Sequence, residues 1–358
     1  MLSPVASFKR HSAGLLLALV VVLCLLVDFS TAATKIRDGA DPSIIKVGDN
    51  YFSVESAGGG IWVRKATSLL GLGADGVERK KVWSDSTNLG EVWAPEISMD
   101  SGKTWIHFAA GTGPAHRMYA ISSDTPDGTY SSHTKVNLPD DRWAIDGTLF
   151  IFEGQRWFVW SGWSGETSGG MQNLYICKMS SPTQSTGGRF IISQPKETWE
   201  QGDSPLINEG PEAIIDPNGQ LHIVYSANGS WGSKYCLADL RLKKGGNPTN
   251  VWDWYKSNGC LFGSHQDRMM SGWDATVQVD GPGHHTFVMP NGDIRNSQGG
   301  TSRIPFVFHA VKKGETYSWS NRDWFTGSWV WWSKTNYHRG GNTPGDHDNS
   351  GYSFKFFE

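Results

Sequence analysis

The stretch Ala144-Ile145-Asp146-Gly147-Thr148-Leu149-Phe150 places one carboxylate at the start of an apolar, β-prone run. The same order of acid and short hydrophobic strand recurs at residues 39–45 and 208–215. Each time a Gly-containing turn and a second hydrophobic strand follow, which is the pattern of a β-hairpin. Repeats arranged around an axis would bring their acids to one point. The repeated unit therefore predicts both the fold and a shared carboxylate cluster.

Short strands separated by Gly-rich turns fill the rest of the chain, and helical periodicity is nearly absent. Five groups of strands begin roughly 50–75 residues apart, a spacing that suits a four-stranded propeller blade with its loops. A β-sandwich would account for the strands but not for the recurring acid-strand-turn-strand unit. The sequence therefore predicts an all-β protein, a five-bladed β-propeller in a single domain over residues 34–358. The five groups begin near Asp41, Glu96, Asp146, Glu209 and His284.

The fifth group is the least regular, with strands predicted at 285–289, 305–311 and 329–333. The C-terminal residues 352–357 alternate apolar and polar side chains and are predicted to pair into the first blade, closing the ring. The polar residues 336–350 between them are predicted to form a loop.

The N-terminus has the layout of a secretory signal peptide. Lys9, Arg10 and His11 precede an apolar run over residues 14–27, and small residues at 31–33 offer a cleavage site. A membrane anchor is the alternative, but Asp28 ends the apolar run early for a membrane span. We expect residues 1–33 to be removed, giving a secreted protein with no membrane segment in its mature form.

Net charge argues against one class of partner, and cysteine content limits the disulfide pairing. The formal net charge is −3 and no basic stripe occurs, which argues against a nucleic-acid partner. Beyond Cys24, which would leave with the signal peptide, the chain holds Cys177, Cys236 and Cys260. An odd number permits at most one internal disulfide, and Cys236–Cys260 is favoured because the two flank one local segment.

Two of the repeated motifs offer two acids each, so one must be chosen. Asp38 competes with Asp41, and Glu212 competes with Glu209. Residues three apart in an extended chain point to opposite faces, so only one of each pair faces a shared cleft. Asp41 directly precedes a strand, and Glu209 precedes a stiff Gly-Pro, so we favour these two. The alternative is that the acids cap turns or pair with nearby arginines.

Two further motifs complete an ordered set, Trp93-Ala94-Pro95-Glu96 and Gly281-Pro282-Gly283-His284. With them the sequence resembles glycoside hydrolase family 43, whose members are secreted, five-bladed, inverting glycosidases acting mainly on arabinose- and xylose-containing polysaccharides. The five motifs span Asp41 to His284, so the resemblance covers most of the chain.

The resemblance implies a role for one residue in each motif. It makes Asp41 the general base, Glu209 the general acid and Asp146 the group that tunes the pKa and orientation of the acid. It places Trp93 in the sugar pocket and His284 near a central calcium ion or water cluster, with no cofactor required for the reaction. The last blade departs from the family pattern, so a late substrate-binding arginine has no motif. Arg322 and His309 are the candidates there.

Inverting hydrolysis needs such a set on chemical grounds. One carboxylic acid protonates the leaving oxygen, and one carboxylate activates water on the opposite face of the sugar, at a separation of roughly 6.5–9.5 Å. A further carboxylate nearby raises the pKa of the acid and keeps it protonated. No phosphate loop, Ser/His/Asp set or metal-hydrolase motif competes.

Three alternatives stay open. Residues 98–105 fit the Asp-box hairpin of sialidases, but this motif is a structural turn and occurs once. A non-catalytic sugar-binding propeller would not need the acids, and a β-xylosidase would share them. Residues 117–120 favour the arabinose-releasing branch, so we predict an α-L-arabinofuranosidase or exo-arabinanase acting on arabinan or arabinoxylan. The sequence leaves exo against endo action open.

Overall fold

The computed structural model describes residues 1, 33–165, 169–264, 269–270, 272–295, 303–333, 337–339, 347–348 and 351–358. The predicted signal peptide falls almost entirely on residues 2–32, outside this part. Within the described ranges the helices are single 3₁₀ turns, and none has the length and apolar character to cross a bilayer. They lie at Leu70–Gly73, Gly113–Ala115, Pro139–Asp141, Thr198–Glu200, Val251–Asp253 and Trp319–Asn321.

Five antiparallel sheets form the blades of a β-propeller, which confirms the predicted fold class. Strand β1 spans Thr34–Asp38 and belongs to the last blade, described below. The first blade contains β2 (Ser43–Val47), β3 (Asn50–Ala57), β4 (Gly60–Ala66) and β5 (Glu78–Ser84). The second contains β6 (Glu91–Asp100), β7 (Lys103–Gly111), β8 (Arg117–Ser123) and β9 (Thr134–Lys135). The third contains β10 (Ile145–Phe152), β11 (Gln155–Trp163), β12 (Gln172–Ser181) and β13 (Gln184–Ser193).

The fourth and fifth blades are larger. The fourth contains β14 (Asn208–Ile215), β15 (Leu221–Ala227), β16 (Cys236–Leu242) and β17 (Trp254–Ser257). The fifth contains β18 (Val279–Phe287), β19 (Ile304–Lys312) and β20 (Asp323–Trp332). Short strands β21 (Tyr337–Arg339) and β22 (His347–Asp348) extend the fourth sheet, because β21 pairs with β17. The prediction of a plain loop over residues 336–350 is therefore wrong at these two strands.

The ring is closed by the N-terminal strand, not by the C-terminal one. Strand β1 pairs antiparallel with the first half of β20, and β23 (Ser353–Phe357) pairs antiparallel with the second half of the same edge. The prediction that residues 352–357 pair into the first blade is wrong, because they complete the fifth. The two strands follow one another along β20 and together form its outermost strand.

In or just before the innermost strand of every blade, one residue has left-handed backbone conformation. These residues are Asp41 (φ 51°), Ala94 (φ 40°), Asp146 (φ 53°), Gly210 (φ 54°) and His284 (φ 42°). Positive φ is uncommon outside glycine and is a mark of functional sites in folded proteins. In the second to fifth blades the pairing register with the next strand shifts at this point, as in a β-bulge. Each kink turns one end of the strand toward the propeller axis.

Two residues beyond each kink, polar side chains join neighbouring blades. In three blades this side chain accepts a hydrogen bond from the backbone N–H that lies three residues beyond the kink of the next blade, so the blades are held in a fixed rotation around the axis. The three bonds are Ile97 N–H to Ser43 (3.0 Å), Ile44 N–H to Thr286 (3.2 Å) and Phe287 N–H to Glu212 (2.8 Å).

Cysteine pairing agrees with the sequence prediction. Cys236 and Cys260 form a disulfide within the fourth blade. Cys177 is a free, fully buried thiol on the third blade. Burial raises the pKa of Cys177 to about 12, so it stays a protonated core residue.

Candidate active site

A cavity of about 370 Å³ opens at the end of the propeller where the inner strands begin. It brings together residues from all five blades, and every predicted site residue except His309 lines it. The predicted residues on its wall are Asp41, Trp93, Asp146, Glu209, His284 and Arg322, and four more tryptophans join them at positions 143, 163, 231 and 319.

The strand kinks explain why these side chains converge. Asp41, Asp146 and His284 occupy the equivalent left-handed position in three blades, so their side chains point to the same axis. Glu209 stands one residue before the equivalent Gly210. A Cβ at Gly210 would lie 3.1 Å from the His284 ring, so the glycine leaves the space that His284 fills.

Asp41 is surrounded by potential cations. Its Oδ1 atom lies 3.2 Å from His284 Nδ1, 3.2 Å from His309 Nδ1 and 3.8 Å from Arg322 Nη1. Burial would raise the pKa of Asp41, but these three neighbours hold it well below its usual range. The lowered pKa favours the ionised form of Asp41, which is the form that a general base needs.

Glu209 has the opposite electrostatic environment. Its side chain is buried, and its Oε1 atom accepts a hydrogen bond of 2.9 Å from the Tyr235 hydroxyl. Burial, together with the nearby charge of Asp146, raises the pKa of Glu209 to about 8. The raised pKa favours the protonated form of this carboxyl at neutral pH, which is the form that a general acid needs.

Asp146 lies between the other two acids. Its Oδ2 atom accepts the Gly210 N–H at 3.0 Å and is 3.9 Å from His284 Nδ1. Burial and the charge of Asp41 raise the pKa of Asp146 to about 7. The hydrogen bond to Gly210 connects Asp146 to the residue next to Glu209, which suits a group that orients the acid.

Comparison with known proteins agrees with this arrangement. The family described as glycosyl hydrolases family 43 matches residues 34–333. The chain belongs to glycosyl hydrolase family 43. It is 30% identical over 282 residues to an extracellular exo-α-(1→5)-L-arabinofuranosidase of Streptomyces avermitilis, covering 75% of this chain and 54% of that protein. It is 27% identical over 292 residues to a protein of the same name from Streptomyces chartreusis, covering 77% and 80%.

Solved structures share the fold. The crystal structure of α-L-arabinofuranosidase from Lactobacillus brevis aligns with a TM-score of 0.71 at 23% identity, covering 90% of this chain and 99% of that one. Xylan β-1,4-xylosidase from Bacillus halodurans aligns with a TM-score of 0.61 at 17% identity, covering 87% and 57%. The family 43 chain spans about half the length of three curated relatives that it matches.

The two acids that were not chosen lie outside the cavity of the family 43 chain. Glu212 Oε2 accepts the Phe287 N–H, and its carboxyl joins Glu96 in a small internal space below the cavity. Asp38 is at the exposed end of β1, where it pairs with Lys35 at 2.7 Å. The alternation argument therefore chose the acid of each pair that faces the cavity.

The Asp-box residues serve the turn that their motif predicts. Ser101 and Gly102 have positive φ in the β6–β7 hairpin. Asp100 is buried and accepts two hydrogen bonds from Arg156, at 2.8 and 3.0 Å. In the family 43 chain this motif fixes a hairpin to the neighbouring third blade, and it contributes nothing to the cavity.

The sequence did not identify Tyr235, which links Glu209 to a neighbour of Asp41. Its hydroxyl binds Glu209, and its ring stacks on His309 at 5.5 Å between centroids and 11° between planes. His309 in turn contacts Asp41. Gly283 is required next to it, because a Cβ there would lie 2.1 Å from the Tyr235 ring. This tyrosine belongs to no motif, and only its position before Cys236 marks it.

Replacing Tyr235 with phenylalanine tests this connection. The hydroxyl favours the ionised form of Glu209, so its loss is expected to raise the pKa of Glu209 and move the alkaline limb of the kcat/KM profile to higher pH. We expect roughly a two- to tenfold lower kcat, the usual effect of one hydrogen bond. Tyr225→Phe is the control, since Tyr225 is buried and donates to Glu200 in the same blade. An alkaline limb of Tyr235→Phe at the same pH as that of the unmutated protein would contradict the effect of the Tyr235 hydroxyl on Glu209.

Proposed function

We propose that this chain is a secreted, inverting α-L-arabinofuranosidase that releases terminal arabinose from arabinan or arabinoxylan. The observation that carries the proposal is the opposite surroundings of two acids in one cavity: Asp41 faces two histidines and an arginine, whereas Glu209 is buried with a tyrosine hydroxyl as its partner. Neighbouring carboxyls whose pKa values are pushed apart are the usual mark of a base and an acid in glycoside hydrolysis. The names of the curated relatives support the choice of arabinose.

The proposed reaction needs one water molecule and no cofactor. Asp41 takes a proton from water as the water oxygen attacks the anomeric carbon. The bond from that carbon to the leaving oxygen breaks, and this oxygen receives the proton of Glu209. Asp41 then releases its proton to solvent and Glu209 is reprotonated. The charge of Asp146 keeps the Glu209 proton in place until the leaving oxygen arrives. Trp93, 39% exposed and stacked on His116 at 3.9 Å, would pack against the sugar.

The test is to follow the first product by NMR during hydrolysis of arabinan, arabinoxylan and the nitrophenyl arabinoside and xyloside. We expect arabinose of inverted anomeric configuration before mutarotation, and the arabinoside to be the better aryl substrate. Retained configuration would overturn the mechanism. Preference for the xyloside would favour the β-xylosidase alternative. Tight binding without turnover at any pH would favour a non-catalytic sugar-binding propeller.

Secretion is the second part of the proposal. A disulfide is characteristic of oxidising compartments, and Cys236–Cys260 is well buried in the fourth blade. Two of the curated relatives are named extracellular. Export of the full chain with cleavage near residue 33 is the expected result, and N-terminal sequencing of secreted protein tests it.

Replacing Asp146 with asparagine should separate charge from position. The amide oxygen still accepts the Gly210 N–H, but the negative charge that raises the pKa of Glu209 is gone. Because the acid must be protonated, we expect the alkaline limb of the pH–rate profile to move to lower pH, with substrate binding retained. Asp216→Asn is the control, a buried turn acid outside the cavity. If both variants keep the wild-type limb, Asp146 does not tune the acid.

A structural calcium ion near His284 is also proposed, from the family resemblance alone. The contacts of His284 Nδ1 go to Asp41 and Asp146, and no group of three or more His, Cys, Asp or Glu side chains suited to a metal occurs among the described residues. Any calcium here would therefore depend on oxygen ligands other than such a side-chain group, and no reaction step depends on the ion. If calcium is bound, metal analysis detects it and a chelator lowers the Tm. An unchanged Tm in metal-free protein would exclude it.

A further inference from the structure

Two tryptophans at the mouth of the cavity are exposed to solvent, unlike the aromatic residues of the core. Trp231 is 36% exposed and Trp319 is 60% exposed, and both line the cavity that holds the three acids. Their rings meet edge to face with centroids 6.4 Å apart. Large exposed apolar groups at the edge of a polar cavity are typical of ligand-binding surfaces. The reaction steps proposed above do not use either residue.

The loop that carries Trp231 is held in place. Its indole lies directly over Gly229, where a Cβ would be 2.4 Å from the ring. The Asn228 side chain donates to the backbone oxygens of Trp199 and Lys234, both at 3.1 Å. The Tyr317 hydroxyl donates to the Ser230 carbonyl at 3.4 Å. The ring is thus fixed before any ligand arrives, which lowers the entropy lost on binding.

We propose that Trp231 and Trp319 form the binding site for the sugar on the leaving side of the bond, an arabinofuranosyl residue of an oligosaccharide. The proposal rests on the proposed function and names residues that select its substrate. A sugar whose anomeric carbon lies among Asp41, Asp146 and Glu209 fills the bottom of the cavity. The remaining sugars of the oligosaccharide must therefore extend through the cavity mouth.

The position of Glu209 determines on which side of the cavity mouth the rest of the oligosaccharide lies. The leaving oxygen contacts Glu209, and Glu209 pairs with Ser226 at the end of the strand that leads into the Trp231 loop. The same loop ends at Tyr235, which binds Glu209. Trp319 is joined to the site through its carbonyl, which accepts from Arg322 Nε at 3.3 Å. Trp93 belongs to the second blade and is the alternative wall.

The experiment compares arabinotriose with p-nitrophenyl arabinoside, which has no leaving sugar. Trp231→Ala and Trp319→Ala are expected to lower kcat/KM on arabinotriose on the order of tenfold and to lower it less on the aryl substrate. Trp252→Ala is the matched control, because Trp252 is 46% exposed and lies outside the cavity. Trp231→Phe should recover part of the loss if the flat ring is what binds.

Three outcomes would overturn the proposal: equal losses on both substrates, no loss on arabinotriose, or a selective loss in Trp93→Ala in place of Trp231→Ala. Calorimetry of arabinotriose binding separates this proposal from the proposed function. It compares the affinity of the Glu209→Ala variant with that of the double variant Glu209→Ala, Trp231→Ala. Absence of turnover in the wild-type protein contradicts the function, whereas unchanged binding without Trp231 contradicts the sugar site.

Discussion

Replacing Glu209 with alanine is expected to lower the rate on arabino-oligosaccharides by about 10²–10⁴-fold, the usual contribution of a general acid. Nitrophenyl arabinoside should keep far more of its rate, because nitrophenolate departs without needing a proton. The difference arises because the buried carboxyl of Glu209 carries a proton at neutral pH. Steady-state kinetics on the two substrates measure it, and the alkaline limb should disappear from the aryl-substrate profile of the variant.

Glu212→Gln is the control for this experiment. It changes a half-buried carboxyl three residues away, and its amide oxygen still accepts the Phe287 N–H. We expect a change in Tm without a dependence on leaving group. Equal losses on both substrates in Glu209→Ala, together with selective losses at Glu212, would show that Glu212 is the acid.

Replacing Asp41 with alanine should lower the rates on both substrates alike, again by about 10²–10⁴-fold, because water must be activated whichever group departs. Azide is a nucleophile that needs no base, and the shortened side chain leaves room for it. We expect added azide to restore turnover of the aryl arabinoside and to give an arabinosyl azide of inverted configuration, identified by NMR.

Recovery by azide tests the role of Asp41 in a way that loss of activity does not. An azide product of retained configuration would mean that another residue is the nucleophile of a retaining enzyme, whereas a glycosyl group trapped on Asp41 in the unmutated protein would make Asp41 itself the nucleophile. His309→Ala is a useful comparison, since His309 contacts Asp41 without lining the cavity. It should weaken the reaction and gain nothing from azide.

The inner three strands of the first four blades were predictable, and the outer ones were not. The inner strands alternate or run continuously apolar and end at Gly turns, because they pack against neighbouring blades. The outer strands β5, β9 and β13 are largely exposed and carry charged or polar residues. Their strand conformation depends on pairing with the sheet, which local sequence does not record.

The same distinction holds for the site. Asp41, Asp146 and Glu209 were found because they stand at the start of repeated strands, where the propeller brings equivalent positions together. Tyr235 and Trp231 come from a loop between strands of one blade and belong to no repeated motif. Arg322 and His309 had no motif, yet both contact Asp41. Their contribution depends on the fold of the least regular blade.

The shared outer strand of the fifth blade has a consequence for how the protein is made. Synthesis proceeds from the N-terminus, and domains begin to fold as they emerge. Strand β1 is among the first described segments to leave the ribosome, but its partner β20 follows only after four blades have been synthesised. Until then β1 presents unpaired backbone groups, the usual hazard of an open strand edge. Its charged residues Lys35, Arg37 and Asp38 would keep the waiting strand in water. A strand synthesised before the first blade thus becomes part of the outermost strand of the last blade.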